Sequence, residues 1–191
     1  GRIAEVGEWG DLRGDADDLG DVILMPGFVN SHCHLDYTSL VGCIPAPETF
    51  NEWIAGIMWH KNIMGDDAWR ESWVRGASQC LQRGMTTVGN IETRPDLLED
   101  LWAETPLRLS SYMELIIVKV ESDSDSAIQK VVNFLQSHKP RRGDIGLSPH
   151  APYSVKPDAL RRCAKISQEH GLRMTMHIAE SADESAMFRE A

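Results

Sequence analysis

The segment Met25-Pro-Gly-Phe-Val-Asn-Ser-His-Cys-His-Leu-Asp36 decides the fold of this 191-residue chain. Side chains alternate between the two faces of a β-strand, so residues two apart point the same way. A strand over residues 28–34 therefore projects His32 and His34 from one face and Cys33 from the other. Because neutral imidazole is a common zinc ligand, this spacing predicts metal binding by His32 and His34. The alternative is a pair of polar side chains held by hydrogen bonds at a strand end.

A second histidine motif, Met174-Thr-Met-His-Ile-Ala-Glu-Ser181, ends a later apolar stretch. His177 is either a third metal ligand or a histidine of the core. Glu180 is either a carboxylate favoured at a helix start by the helix dipole or a group that transfers a proton. Two strand ends that carry histidine, the second followed by a carboxylate, favour the metal site over the alternatives.

Strand and helix patterns alternate along the chain from residue 26 onwards. Thr49-Phe-Asn-Glu52 has the spacing of a capping box and predicts the start of the first helix. The sequence predicts strands over residues 28–34, 85–91, 107–118, 145–148 and 172–178. It predicts further helices over residues 67–83, 95–103, 128–135, 157–170 and from about 182. This alternation is typical of a parallel sheet with helical crossovers.

Four motifs in this order resemble the amidohydrolase superfamily. Pro26–His34 is similar to the first barrel strand of that superfamily, Gly84–Val88 to the second, Leu147–Tyr153 to the fourth and His177–Glu180 to the fifth. The closest branch is the mononuclear group of hydrolytic deaminases and chlorohydrolases, which includes S-adenosylhomocysteine, guanine and aminofutalosine deaminases and triazine hydrolases.

The resemblance implies an α/β fold, a partial TIM-type (β/α)8 barrel with about five of its eight strands. A complete barrel of this type usually needs about 250 residues. Residues 1–25, with short β-like segments at Arg2–Val6 and Val22–Met25, are then the remnant of an N-terminal β-sandwich. Residues 26–191 are the first five β/α units of the barrel.

The resemblance also implies a mechanism. One divalent metal ion, zinc with iron as the alternative, is held by His32, His34, His177 and an aspartate from the eighth strand, and it activates a water. Glu180 carries a proton to the ring nitrogen of a cyclic amidine, such as an aminopurine, and ammonia leaves. His150 is implied to contact the substrate, against the alternative of a structural loop histidine. Trp53 either packs in the core or lines the pocket over a flat heterocycle.

The composition restricts the partners. A formal net charge of −10 disfavours nucleic acid and anionic membranes. No apolar run approaches the roughly 20 residues of a membrane span. The four cysteines are scattered, which is typical of reduced thiols in the cytoplasm. We expect a cytoplasmic enzyme for a small heterocyclic substrate, with a homo-oligomer as one option for the complete protein.

Two hypotheses of different classes stay open at this point. In the first, the chain is a portion of a hydrolytic deaminase and is inactive alone, because the motifs of strands six to eight are missing. In the second, it is a non-catalytic metal-binding or subunit-forming module that another polypeptide completes. Triazine hydrolysis or dechlorination is the alternative reaction. No lysine occurs in residues 145–150, which disfavours a binuclear centre bridged by a carboxylated lysine.

Overall fold

A computed structural model of the protein describes residues 2–8, 10–11, 15–117 and 124–190. Two short 3-10 helices cover Leu35–Leu40 and Pro95–Leu97. The strands are β1 (Phe28–Cys33), β2 (Met85–Glu92), β3 (Arg108–Leu115), β4 (Gly143–Pro149) and β5 (Arg173–Met174). The helices are α1 (Phe50–Ile63), α2 (Asp66–Gln82), α3 (Leu98–Glu104), α4 (Ser124–Ser137), α5 (Pro157–His170) and α6 (Ala182–Glu190).

The five strands form one parallel sheet in which each strand pairs with the next along the chain. Helices connect successive strands, so all carboxyl ends of the strands meet at one edge of the sheet. This arrangement is the α/β fold that the sequence predicts, with five strands of a β/α barrel. In such barrels the active site lies at the carboxyl ends of the strands.

The hydrophobic core lies between the sheet and the helices. On β3, Leu109, Met113 and Leu115 are buried in this layer, and they alternate with residues that point into the barrel. The face of α2 that the sequence predicts, with Trp69, Trp73, Ala77 and Cys80, packs against the same layer. Cys33 also contacts this core, as the pleat of β1 predicts, and burial raises the pKa of its thiol to about 12.

The ends of the helices follow the predicted local signals. The Glu52 backbone N–H donates to Thr49 Oγ1 at 3.2 Å, and the Glu52 carboxylate accepts from the Thr49 N–H at 3.4 Å, which completes the capping box. Gly84 follows α2 with φ of +79°, a left-handed conformation that favours glycine and allows an abrupt turn into β2.

Four of the predicted β-strand segments need correction. The described residues of Arg2–Val6 and Val22–Met25 form no strand, because no other strand lies beside them, and their apolar side chains are exposed. The strand predicted over 107–118 ends at Leu115; residue 118 lies outside the described residues. The strand predicted over 172–178 is reduced to Arg173–Met174.

β5 is shorter than the predicted strand and continues as a segment with isolated hydrogen bonds. β5 pairs only with β4 in the described sheet, so one side of its backbone has no strand to bind. Beyond Met174 the chain keeps single hydrogen bonds, from the Thr175 N–H to Leu147 O at 3.0 Å and from the His177 N–H to His150 O at 2.8 Å. These bonds hold the segment in place without the regular pattern of a strand.

A buried carboxyl group joins the sheet to two helices. Glu92, at the end of β2, is 1% exposed and accepts hydrogen bonds from Trp73 Nε1 at 3.1 Å and Ser111 Oγ at 2.8 Å. Ser111 Oγ in turn accepts from Trp102 Nε1 at 3.0 Å. Burial raises the pKa of Glu92 to about 7, although the hydrogen bonds from Asn90, Ser111 and Trp73 oppose this shift.

The raised pKa of Glu92 predicts a dependence of stability on pH. The folded state keeps a proton that the unfolded chain releases near pH 4.5, so the stabilisation by the protonated group is lost as pH rises towards 7. We expect Glu92→Gln, which stays neutral, to flatten the fall of the thermal unfolding midpoint between pH 5 and 8. The stabilisation that the unmodified protein loses over this pH range corresponds to a free energy of unfolding on the order of a few kcal/mol.

The matched control is Glu99→Gln, because the Glu99 side chain is 78% exposed on α3. This variant should show the slope of the unmodified protein. Equal slopes for Glu92→Gln and the unmodified protein would contradict the prediction.

Candidate active site

Three histidines converge at the carboxyl ends of the strands. His32 lies in β1, His34 follows that strand directly, and His177 follows β5; their ring nitrogens lie within 4.8 Å of one another. His34 Nε2 and His177 Nε2 are 3.2 Å apart, and the ring centroids of His32 and His177 are 4.7 Å apart. Because β1 and β5 are opposite edges of the described sheet, this contact shows that the sheet curves as a barrel does.

The three imidazoles suit a divalent cation. His177 Nδ1 lies 3.0 Å from His150 O, and a carbonyl only accepts, so Nδ1 carries the proton and Nε2 presents a lone pair. Nitrogen ligands about 2.0–2.1 Å from a tetrahedral zinc ion lie roughly 3.4 Å apart, close to the separation of the His34 and His177 nitrogens. Burial, with smaller effects of His177 and His32, lowers the pKa of His34 to about 3. His34 is therefore neutral at pH 7, as a ligand must be.

Glu180 is held beside the histidines by a tyrosine. The chain turns between His177 and Glu180 through Ala179, which has φ of +59°. Tyr153 Oη then donates a hydrogen bond to Glu180 Oε2 at 2.7 Å. The Glu180 carboxylate is close enough to His32 to oppose the fall in the pKa of that imidazole, which burial causes.

The hydrogen bonds at the start of α6 concern the alternative role of Glu180, a carboxylate placed at a helix start. Ser181 Oγ accepts from the Glu184 N–H at 3.1 Å, and Glu184 Oε2 accepts from the Glu180 N–H at 2.6 Å. Ser181 and Glu184 thus supply the side-chain acceptors at this helix start. The Glu180 carboxylate binds Tyr153 instead of the helix end.

His150 lies in the turn after β4, next to the histidine cluster. Its Nδ1 is 2.6 Å from Ser154 Oγ, and its ring centroid is 5.0 Å from that of His177. Burial lowers the pKa of His150, and the proximity of His177 lowers it further. His150 is therefore a half-buried neutral residue whose ring lies against that of His177, and its predicted contact with substrate stays a prediction.

Trp53 lies on α1, at the side of the site. Together with Tyr37, Leu40 and Ile57 it lines a cavity of about 320 Å³. The ring of Tyr37 stacks on His34 with 4.6 Å between centroids. Trp53 is 36% exposed and its ring contacts Phe50, so it is not a core residue. Trp53 and Tyr37 line the same cavity, and Tyr37 stacks on His34, so Trp53 lies one residue away from the histidine cluster. Its contact with substrate stays a prediction.

Several residues of the site lacked a signal in the sequence analysis. Lys61 Nζ binds Asp36 Oδ2 at 3.3 Å and Thr93 Oγ1 at 3.0 Å. A carboxyl oxygen of Glu114 lies within 4.8 Å of ring nitrogens of both His150 and His177, and burial raises the pKa of Glu114 to about 7. The alternation of apolar residues along β3 identifies Glu114 as an inward residue, but the spacing of Lys61 and Tyr153 gives no such signal.

The fold and the histidine cluster define an incomplete β/α barrel with a candidate metal centre at the carboxyl edge of its sheet. Residues 23–191 match the model of the amidohydrolase family, and the chain belongs to that family. The family and the fold predicted from the sequence are thus confirmed. No helix in the described residues is long and apolar enough to cross a membrane.

Curated relatives of the chain are deaminases. It is 28% identical to the 5-methylthioadenosine/S-adenosylhomocysteine deaminase of Symbiobacterium thermophilum over 172 residues, 87% of this chain and 39% of the relative. It is 22% identical to the 5'-deoxyadenosine deaminase of Methanopyrus kandleri, over 89% of this chain and 40% of that protein. The chain thus spans about two fifths of the length of these relatives.

Solved structures show the same fold. The chain superposes on the aminofutalosine deaminase of Helicobacter pylori in complex with methylthio-coformycin with a TM-score of 0.67 and 20% identity, covering 84% of this chain and 39% of that one. For the atrazine chlorohydrolase of Arthrobacter aurescens complexed with zinc, the TM-score is 0.69 at 19% identity, covering 86% and 44%. Five strands of a barrel are therefore the fold of this chain.

The cluster predicts that His34 is needed for metal binding. We expect His34→Ala, made in the complete protein, to lose bound zinc, because only two of the three candidate imidazole ligands remain. Zinc content by mass spectrometry of the purified protein is the measurement. His170→Ala, at the exposed end of α5, is the control and should keep its zinc. A full metal content in His34→Ala would show that the cluster is not the metal site.

Proposed function

We propose that the complete protein is a hydrolytic deaminase that removes ammonia from a cyclic amidine of the aminopurine type. The observation that carries the proposal is the convergence of His32, His34 and His177 beside Glu180 at the carboxyl edge of the sheet. The names of the curated relatives, deaminases of adenosine-like compounds, support the same reaction class.

The three histidines would hold one divalent cation, for which we propose zinc. Such an ion lowers the pKa of a bound water into the neutral range, and this is the chemistry that it supplies when present. His177 is oriented for this role by its Nδ1–H, which donates to the backbone carbonyl of His150. The burial of His34 keeps its imidazole neutral.

Glu180 would transfer the proton. Its Oε2 is engaged by Tyr153, which fixes the carboxylate and leaves Oε1 to reach the substrate. The carboxylate takes a proton from the attacking water and gives it to the ring nitrogen beside the amino-bearing carbon. The remaining proton of the added hydroxyl then passes to the amino group, the C–N bond breaks, and ammonia leaves as the carbonyl forms. General acid–base catalysis of this kind needs a carboxylate within hydrogen-bond reach of the ring nitrogen.

His150 and Trp53 would contact the substrate. The His150 ring is fixed by Ser154, which engages Nδ1, and lies against His177, where a heterocycle above the histidines would meet it. Trp53 lines the cavity next to Tyr37 and offers a flat apolar surface for stacking.

We further propose that residues 26–191 are the first five units of the barrel, that residues 1–25 belong to a β-sandwich, and that the enzyme acts in the cytoplasm.

The exchange Glu180→Gln in the complete protein tests the proposal. We expect zinc to stay bound and ammonia release from an aminopurine nucleoside to slow by at least about a hundredfold, the scale of a lost general acid–base. A panel of aminopurines and chlorinated or aminated triazines identifies the substrate. Glu169→Gln, whose side chain is 53% exposed on α5, is the matched control and should keep its turnover. An unchanged rate in Glu180→Gln would refute this role of the carboxylate.

Residues 1–191 alone should release no ammonia. β1 and β5 are unpaired edges of the described sheet, and such edges favour association with other chains. Val29 is 68% exposed on β1 and Ile178 is 70% exposed after β5, so apolar surface lies open at both edges. Expression of this chain, zinc analysis and the same ammonia assay test the prediction. Turnover by a zinc-loaded monomer of residues 1–191 would contradict it.

A further inference from the structure

The candidate metal ligands His34 and His177 are oriented by different contacts. His177 Nδ1 donates to His150 O at 3.0 Å, the kind of hydrogen bond that fixes most metal-binding histidines. His34 directs its Nε2 at His177, 3.2 Å from Nε2 of that residue, so its Nδ1 is the nitrogen left for such a bond. This Nδ1 is buried and has no hydrogen-bond partner within the described residues. A different contact therefore has to fix the orientation of the His34 ring.

The aromatic ring of Tyr37 makes that contact. It stacks on the His34 ring with 4.6 Å between centroids and 16° between planes. His34 is the N-cap of the 3-10 helix Leu35–Leu40, and the Tyr37 N–H donates to His34 O at 3.1 Å. Because side chains three residues apart eclipse in a 3-10 helix, this turn places the ring of Tyr37 against that of His34.

The 3-10 helix is itself fixed to the sheet and to α2. The Leu35 N–H donates to the buried Asn90 Oδ1 on β2 at 2.9 Å. Ser72, which is buried on α2, donates from its Oγ to Asp36 O at 2.8 Å. Tyr37 therefore follows a backbone segment that is held from two sides.

The side chain of Tyr37 is held by a cation. Lys61 Nζ lies 4.8 Å from the centroid of the Tyr37 ring, within the range of a cation–π contact. The same ammonium group donates to Asp36 Oδ2 at 3.3 Å and to Thr93 Oγ1 at 3.0 Å. The Asp36 side chain is buried, so this ion pair fixes the position of the ammonium group. The Tyr37 hydroxyl makes no hydrogen bond to another described residue, and the faces of the ring make its contacts.

We propose that Tyr37 is a positioning residue for the metal ligand His34, and that Lys61 holds Tyr37 for this role. The stacking restricts the rotation of the imidazole and keeps its Nε2 directed at the nitrogens of His32 and His177. A ring that is held in the orientation of the bound state loses less rotational freedom when the metal binds, and this favours binding. The inference rests on the proposed metal centre and is independent of the reaction that this centre performs.

The zinc affinity of the complete protein tests the role of Tyr37. Tyr37→Leu and Tyr37→Met both replace the flat ring by an apolar chain. We expect them to raise the dissociation constant of zinc by about tenfold to a hundredfold, the range for lost outer partners of metal-ligating histidines. Tyr37→Phe keeps the ring and should bind zinc as the parent protein does. Competition with a chromophoric chelator gives the constants, and the thermal unfolding midpoint of each metal-free protein reports its folding.

Cobalt(II) in place of zinc gives a second readout, the geometry of the ligands. The d–d absorption bands of this ion depend on how its ligands are arranged. Tyr37→Leu should therefore shift these bands, and Tyr37→Phe should give the spectrum of the parent protein. Trp59→Leu is the matched control, because it removes an aromatic ring from α1 at a position that is 59% exposed. This control should change neither the spectrum nor the zinc affinity.

A double variant tests the role of Lys61. Removal of Lys61 alone would leave the buried Asp36 carboxylate unpaired and destabilise the fold, so Lys61→Met is combined with Asp36→Asn. We expect this variant to weaken zinc binding by at least about threefold, the scale of one cation–π contact. Zinc affinity equal to that of the parent protein would overturn the part of the inference that concerns Lys61.

The outcomes separate this inference from the proposed function. Weaker zinc binding in Tyr37→Leu or Tyr37→Met, with Tyr37→Phe unchanged, supports the inference even where the parent protein releases no ammonia, a result that would overturn only the deamination. Unchanged zinc affinity and an unchanged cobalt spectrum in Tyr37→Leu would overturn the inference and leave the metal centre standing. Equal losses of zinc affinity in Tyr37→Leu and Trp59→Leu would also overturn it, because a general loss of folding would explain both. Zinc retained in His34→Ala would overturn the inference together with the metal centre.

Discussion

The parallel pairing of five strands in chain order is the constraint on which the site depends. Because every strand runs the same way, the residues that follow β1 and β5 meet at one edge, although 143 positions separate His34 from His177. The curvature of the sheet then brings its two outer strands close enough for their imidazoles to touch. His34 and His177 are far apart in the sequence. Their contact therefore forms only after the helical connections have brought β1 and β5 into the sheet. The candidate metal centre is in this sense a product of the whole fold.

The pleat of the strands decides which carboxyl groups belong to the core and which to the site. Glu92 is in register with Met113, and both point towards the helices, where Trp73 and Ser111 satisfy the carboxyl oxygens. Glu114, one residue further along β3, points to the opposite face and borders the histidines. Burial raises the pKa of both groups to about 7, yet their surroundings differ. One carboxyl joins the sheet to its helices through hydrogen bonds that are all made, and the other keeps a buried oxygen without a partner in the described residues.

The sequence predicts those parts of the structure that local rules govern. The Thr49–Glu52 capping box, the buried face of α2 and the placement of His32 and His34 around Cys33 follow from periods of 3.6 and 2 residues. The length of β5 does not, because the pairing of β5 with β4 is set by the tertiary fold. The contact of Tyr153 with Glu180 also escapes sequence reasoning, since it requires a left-handed conformation at Ala179, a residue type that gives no signal for one. The alternation along β3 places Glu114 on the inner face, but the direction of Glu92 requires the register between β2 and β3, which a single sequence does not contain.

A chain of contacts couples the first helix to the metal ligands. Lys61 on α1 lies 4.8 Å from the centroid of the Tyr37 ring, and that ring stacks on His34. The ammonium group is held in this position by Asp36, which is 2% exposed, and by Thr93 after β2. A cation on one face of an aromatic ring favours a fixed position of that ring, and a fixed Tyr37 restricts the rotation of His34. The same helix carries Trp53, which lines the adjoining cavity. Movement of α1 would therefore change the shape of the pocket and the orientation of a metal ligand together, so the position of this helix and the geometry of the candidate centre cannot vary independently.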